Sequence, residues 1–127
     1  MHLLTICDCN HFALKLFPNP DGIDFRITEI TLKNHEEYLL KLTTKNQPTL
    51  DVKKWGTWQI DYNNIVFCIS SFFSYGGCVS NWDFSEAATM DITKSDDTFT
   101  FNAQAGNGKI SFFSKSFVIQ GQHTFLD

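Results

Sequence analysis

The sequence predicts an all-β fold: an antiparallel meander of about 8–10 short strands forming a sandwich or a partly closed barrel, with one short helical turn. Three observations support this prediction. Phe occurs 13 times in 127 residues, with three Trp and three Tyr, and aromatic residues favour pleated sheet. Several short runs alternate apolar and polar residues, and Gly, Pro, Asn and Asp separate those runs. The length fits one domain, residues 1–127.

The first third of the chain contains three alternating runs. Residues 11–17 alternate at Phe12, Leu14 and Leu16, which predicts a strand, and the sequence PNPDG at 18–22 predicts a turn after it. Residues 23–32 alternate but change parity, which predicts a bulge near Thr28-Glu29. A polar connection at 33–37, in which His35 is predicted to be a solvated side chain, leads to a strand at 38–42.

A hairpin is predicted in the middle of the chain. Trp58, Ile60 and Tyr62 alternate with polar residues, and Asn63-Asn64 suits a two-residue type I′ turn. The return run at 65–70 alternates again, so residue 62 would pair with 65, 60 with 67 and 58 with 69.

A second hairpin is predicted from Thr98 to Ser114, with its turn at Gly106-Asn107-Gly108. Phe101, Ala103, Ile110 and Phe112 would share one face. Phe113, Phe117 and Ile119 have the opposite parity, which predicts either a bulge or a second covered face. A further strand at 88–92 would reach this hairpin through a turn at 95–97, and the capping-box spacing of Asp83 and Glu86 predicts a short helical turn at 84–89.

The cysteines and the hydropathy pattern set expectations about compartment and cofactors. No apolar run reaches the roughly 18 residues of a membrane span, and the first residues lack a basic signal-peptide region. We therefore expect a cytoplasmic protein whose four cysteines are reduced, with two disulfides as the alternative. Cys7, Cys9 and His11 carry zinc-ligand side chains, but a structural zinc site needs a fourth ligand and Cys68 and Cys78 lack the usual spacing. We expect no metal and no cofactor.

The sequence contains no recognisable catalytic motif. It has no G-x-S-x-G nucleophile elbow and no phosphate-binding loop, and its paired carboxylates fall in predicted turns. A Cys–His pair formed by the fold, such as Cys78 with any histidine, stays open. We therefore expect a protein that is not an enzyme. Direct binding of nucleic acid is also not expected, because Arg26 is the only arginine and there is no basic patch.

The feature that points to function is an aromatic and acidic stretch from residue 72 to residue 97. It contains the longest connection between predicted strands, roughly 74–85, and long loops often carry function. Residues 83–97 contain five acidic residues and one lysine, so they account for the whole net charge of −4. Aromatic side chains anchor protein interfaces, and clustered carboxylates attract a basic partner. The predicted partner-binding residues are Phe72, Phe73, Tyr75, Trp82, Asp83, Glu86, Asp91, Asp96 and Asp97.

We therefore predict a non-catalytic binding module, an inhibitor or immunity-type protein that binds a basic protein such as a nuclease toxin. The competing interpretation makes these aromatics part of the core and the acids a solvated face. Two other functions stay open. The Phe-rich interior suits a barrel around a small apolar ligand, and residues 55–58, WGTW, resemble the G-x-W motif of lipocalin-like and fatty-acid-binding proteins, although that motif lies near the N-terminus there. A carbohydrate-binding sandwich would use Trp55, Trp58 or Trp82 as a stacking platform.

Overall fold

The protein is a β-sandwich of two four-stranded antiparallel sheets. The computed structural model describes residues 1–33 and 36–127, so His35 and its predicted turn lie outside the described residues. Over those residues neither sheet closes into a barrel. The all-β prediction is confirmed, and the sandwich is the form it takes.

Two short helices precede eight strands. The helices are α1 (Leu3–Ile6) and α2 (His11–Leu16), and single 3₁₀ turns occur at Pro20–Gly22 and Lys53–Trp55. The first sheet has the strand order β1-β2-β3-β8 and the second has the order β4-β7-β6-β5. In chain order the strands are β1 (Arg26–Leu32), β2 (Tyr38–Thr44), β3 (Asn64–Phe72), β4 (Tyr75–Ser80), β5 (Thr89–Ser95), β6 (Thr98–Ala105), β7 (Gly108–Ser114) and β8 (Ser116–Phe125).

Several predicted elements are confirmed. The register of β1 against β2 shifts between Ile27 and Glu29, at the predicted bulge. In the β6–β7 hairpin Phe101 pairs with Phe112 and Ala103 with Ile110, and Ala105 opposite Gly108 makes 106–107 the central turn residues. Phe113 faces outward on β7, whereas Phe117 and Ile119 are buried because the chain leaves the second sheet at the end of β7 and enters the first sheet as β8.

The predicted hairpin at 57–70 is wrong. Its second half is β3, but β3 lies between β2 and β8, so both of its edges are occupied. Residues 57–62 fold instead into a compact turn in which the Thr57 amide donates to the Asp61 carboxylate (2.7 Å) and the Gln59 amide donates to the Tyr62 carbonyl (2.7 Å). Tyr62 turns inward and is buried, whereas Ile60 is 70% exposed.

Two other local predictions are also wrong. Residues 11–16 form α2 rather than a strand, and they bury Ala13 and Leu16 at helical spacing. In so short a run, the apolar residues fit both the two-residue repeat of a strand and the 3.6-residue repeat of a helix. No helix forms at 84–89, because the Asp83 carboxylate accepts hydrogen bonds from the amide (3.0 Å) and hydroxyl (2.6 Å) of Ser85 and closes a turn.

The core between the sheets is built from aromatic rings. Phe101 and Phe112 of the second sheet stack with centroids 4.8 Å apart, and Phe117 of β8 packs against both from the first sheet. At the other end of the core, Phe17 and Phe25 pack edge to face with Phe67 of β3. Edge-to-face and offset arrangements are those that aromatic rings prefer, so this core is packed with specific geometry.

Two features join separate parts of the chain. Ser71, Ser74 and Ser114 form a buried hydroxyl cluster where the chain crosses between the sheets after β3 and again after β7. Ser114 also donates to the carbonyl of Phe72 (3.1 Å). Near the N-terminus, Asp8 lies alongside β8: its amide donates to the carbonyl of Phe117 (2.8 Å), and its carbonyl accepts from the amide of Ile119 (3.0 Å).

Candidate functional site

Most of the predicted partner-binding residues lie on or beside the second sheet. The expected long loop at 74–85 is wrong, because residues 75–80 form β4, an edge strand that pairs with β7. The loop that remains runs from 81 to 88 and joins β4 to β5. All six residues of β4 are exposed, and none of them is charged.

Three aromatic side chains form an exposed group where β4 begins, which we call the aromatic corner: Phe73, Tyr75 and Phe113. Tyr75 and Phe113 pair across the strands and stack with centroids 5.0 Å apart. Their exposed fractions are 52% and 38%, and that of Phe73 is 61%. Phe73 has a φ of 53°, a left-handed conformation that bulky side chains rarely adopt. Phe113 was missed because it joins Tyr75 only through the strand register.

Two of the predicted aromatics take part in the packing of the fold. Phe72 is half-buried at the end of β3. Trp82 is half-buried, packs against the hydrophobic core and donates its indole N–H to the carbonyl of Ile27 (2.9 Å). Neither side chain is fully exposed for contact with a partner, and the hydrogen bond of Trp82 ties the 81–88 loop to β1.

The acidic residues extend along the whole length of β5 rather than forming one cluster. Asp83 and Glu86 lie in the 81–88 loop at one end, and Asp91 lies midway on the outer face. Asp96 and Asp97 form the turn at the other end, seven residues of strand or about 23 Å away. The hydrogen bond from Thr98 and the Lys115 ammonium at 3.5 Å lower the pKa of Asp97, so this carboxylate stays charged.

The aromatic corner and the Asp96–Asp97 turn lie at the same end of the second sheet. Tyr75 opens β4 and Phe113 is close to the end of β7, while the turn joins the end of β5 to the start of β6. Across the sheet, β4 and β5 are three strand spacings apart, which is about 14 Å. The outer face between them carries polar side chains from the central strands, among them Thr100, Asn102 and Ser111.

A second surface feature was missed because the wrong hairpin hid it. Residues 45–63, between β2 and β3, contain no named strand and form a longer connection than the one predicted at 74–85. Two open depressions of about 400 and 480 Å³ meet there at Trp58 and Gln47, which line both. We call the combined feature the Trp58 groove. A connection of 19 residues is unusually long for a compact domain, and its length alone would have indicated a candidate functional segment.

The cysteines and histidines are dispersed. All four cysteines are free; Cys7 is buried, and burial raises the pKa of its thiol to about 12. Among the described residues, Cys68 and His123 form a Cys–His pair on the first sheet, with Sγ and Nδ1 3.9 Å apart. Within residues 1–33 and 36–127 no group of three or more His, Cys, Asp or Glu side chains is arranged to hold a metal ion.

Two further findings complete the description. In the part of the chain that the structure describes, no helix is both long and apolar enough to cross a bilayer. Comparison with protein-family models, with curated proteins and with solved structures gives no match.

Proposed function

We propose that the protein is a non-catalytic binding module that engages a protein partner through the second sheet, with the aromatic corner as its anchor. The observation that supports this proposal most strongly is the exposed Tyr75–Phe113 stack beside exposed Phe73. Large aromatics are enriched among residues that dominate interface energies. An uncharged edge strand next to them leaves the corner free of the charged side chains that usually guard an edge.

The backbone of Phe73 adds support. A left-handed conformation costs a non-glycine residue roughly 1–2 kcal/mol, and the ring of Phe73 is largely in solvent. Burial in the core therefore does not compensate this cost. Strained residues often occur at functional sites, and contact with a partner gives this side chain a role.

The proposed partner has a basic surface. A standard interface covers about 800 Å² on each protein, whereas the outer face of a sheet of four strands and seven residues measures about 19 by 23 Å. A partner of ordinary size would thus cover the face and reach the acids at both ends. The carboxylates of Asp91, Asp96 and Asp97 would steer its approach electrostatically. An inhibitor or immunity-type protein that blocks the phosphate-binding cleft of a nuclease toxin fits this description.

The proposal includes a cytoplasmic location. Four free cysteines, two of them exposed, suit a reducing compartment. Two findings bear on the alternatives, the apolar-ligand barrel and a carbohydrate platform at Trp82. A ligand-holding barrel needs a closed sheet, whereas both sheets are open over the described residues. Trp82, one proposed carbohydrate platform, already uses its indole N–H inside the fold.

Affinity capture with matched variants tests the proposal. The protein is immobilised at low ionic strength and exposed to extract of the source organism, beside Phe73→Asn, Tyr75→Ser and the control Phe125→Ser. Asn tolerates a left-handed φ, so Phe73→Asn should fold at least as stably as the native chain. Phe125 is an exposed aromatic on β8, in the other sheet.

We expect one basic protein to be retained by the native chain and by Phe125→Ser, and to be lost with both corner variants. Affinity for the purified partner should fall by about tenfold or more on removal of an anchoring ring. Equal capture by all four proteins, or capture by none, would contradict the proposal.

A further inference from the structure

The Trp58 groove has an aromatic wall that packing holds in place. Tyr62 is buried and meets the Trp58 ring edge to face, with centroids 5.2 Å apart. Trp55 also packs against Tyr62, with ring centroids 5.7 Å apart, and Phe12 of α2 packs against Trp55 at the same centroid distance of 5.7 Å. Trp58 itself is half-buried and lines both depressions. The indole is therefore positioned before any ligand arrives.

The backbone around the groove is also fixed. The Thr49 amide donates to the carbonyl of Leu16 (2.9 Å), which ties the connection to α2. Gly56 has a φ of 86°, and a Cβ there would overlap the Asp61 side chain, so this turn requires glycine. Gln59, on the groove wall, has a left-handed φ of 71°.

The polar lining consists largely of groups that both donate and accept hydrogen bonds. Gln47 and Gln59 present two carboxamides, each with an N–H₂ donor and a carbonyl acceptor, and Asn46 presents a third whose carbonyl oxygen already accepts from the Thr44 hydroxyl (3.2 Å). Thr57 adds a hydroxyl, which is also both donor and acceptor. This set matches a ligand whose own groups are hydroxyls.

The charges of the lining balance. Asp24 lines one depression together with two cations, Arg26 and Lys45, and Asp51 lines the other, so the balance holds over the two depressions together. Arg26 is also bonded to the Asn64 side chain (3.0 Å), and Lys45 pairs with the Asp127 carboxylate (3.0 Å). A phosphate-bearing ligand would need a net positive site. An apolar ligand would leave the polar walls without hydrogen-bond partners, which is costly.

We propose that the Trp58 groove is a binding site for a neutral oligosaccharide. A sugar ring has an apolar C–H face that packs on an aromatic ring, and a rim of hydroxyls that carboxamides satisfy in both directions. The groove is open at the surface and runs along two depressions, so it suits a chain of sugar units. This site lies in the 45–63 connection and the residues facing it, and it does not depend on the aromatic corner.

Native affinity electrophoresis tests the proposal. The purified protein is run in gels that contain, one at a time, hydroxyethylcellulose, xylan, glucomannan, laminarin, galactan or soluble starch. We expect at least one polysaccharide to retard the protein relative to a gel without it, and titration calorimetry with the matching oligosaccharide should then give a 1:1 complex. Absence of retardation in every gel would overturn the proposal.

Variants locate the binding. Gln47→Ala removes an exposed carboxamide, and Gln59→Gly removes another while relieving the left-handed backbone, so neither threatens folding. Each should weaken the association constant by about tenfold, the effect of one well-placed hydrogen-bonding group. Trp58→Ala should abolish retardation.

Phe73→Asn is the matched control and should bind the polysaccharide like the native chain. Native-like binding by both Gln47→Ala and Gln59→Gly would overturn the proposal. Because the two surfaces use separate residues, failure here leaves protein capture by the aromatic corner unaffected, and the converse also holds.

Discussion

Gly108→Ala should destabilise the protein because there is no space for one additional carbon. A Cβ at this first residue of β7 would lie 2.4 Å from the carbonyl oxygen of Asn81 and 2.6 Å from the Cα of Trp82. Both atoms belong to the backbone, so a rotamer change cannot relieve the overlap. The 81–88 loop would have to move away from β7, and Trp82 would move with it.

The magnitude follows from comparing two strand glycines. Insertion of atoms into packed structure costs typically about 1–3 kcal/mol, and strain on the Trp82–Ile27 hydrogen bond adds to the cost. Gly121, in β8, has no atom within 4 Å of a Cβ. Gly121→Ala should therefore stabilise the protein by about 0.5 kcal/mol, because alanine restricts the unfolded chain. The two variants should differ by about 2–4 kcal/mol in the free energy of unfolding.

Urea unfolding followed by tryptophan fluorescence and circular dichroism measures this difference. With a slope of about 2 kcal/mol/M, the middle of the range for small domains, the midpoints of the two variants should differ by about 1–2 M. A Gly108→Ala protein as stable as the native chain would refute the close approach of β7 and the 81–88 loop. Equal losses in both variants would show that strand glycines matter for another reason.

Three further predictions concern charge, the buried hydroxyls and the thiols. The double variant Asp96→Asn, Asp97→Asn keeps the turn but removes two charges. It should slow association with a basic partner in biolayer interferometry and make the association rate less dependent on salt. Unchanged association rates at low salt would argue against electrostatic steering. Ser114→Ala should lower the free energy of unfolding by about 0.5–1.5 kcal/mol in urea titrations, because it removes one buried hydroxyl from Ser71 and Phe72, each of which keeps another hydrogen-bond partner; an unchanged free energy of unfolding would contradict the cluster. Cys7 should resist alkylation at pH 8 in the native protein while exposed Cys78 reacts, and rapid native labelling of Cys7 would disprove its burial. The free energy of unfolding should also fall as the pH rises from 9.0 toward about 12, because the thiol loses its proton at lower pH in the unfolded chain than in the native protein, where burial raises its pKa.

The sequence predicts the pairing of neighbouring strands better than the pairing of distant ones. In the 98–114 hairpin, alternation and a Gly-Asn-Gly turn agree, and both strands are adjacent in the chain. The first sheet joins strands that are far apart in sequence, such as β3 and β8. Local alternation at 57–62 suggested a partner for β3, but β2 and β8 occupy both of its edges. Such competition between partners cannot be read from a local pattern.

The candidate sites show the same limit. Phe73 and Tyr75 were found from their position in a stretch rich in aromatics. The opposite parity of Phe113 was also found, but its place beside Tyr75 depends on the pairing of β7 with β4, which the sequence did not predict. Trp58 was assigned to an apolar face by its parity. The turn that Gly56 and Asp61 build presents it to the groove instead.

The position of Asp8 beside β8 has a consequence for synthesis of the protein. The ribosome makes the segment around Asp8 long before its partner strand β8, and β8 also completes both the first sheet and the core through Phe117. Until then the nascent chain carries apolar side chains from α1 and α2 without their final neighbours. This domain therefore cannot complete its fold until β8 has left the ribosome, and the contacts of Asp8 with β8 should be among the last to form.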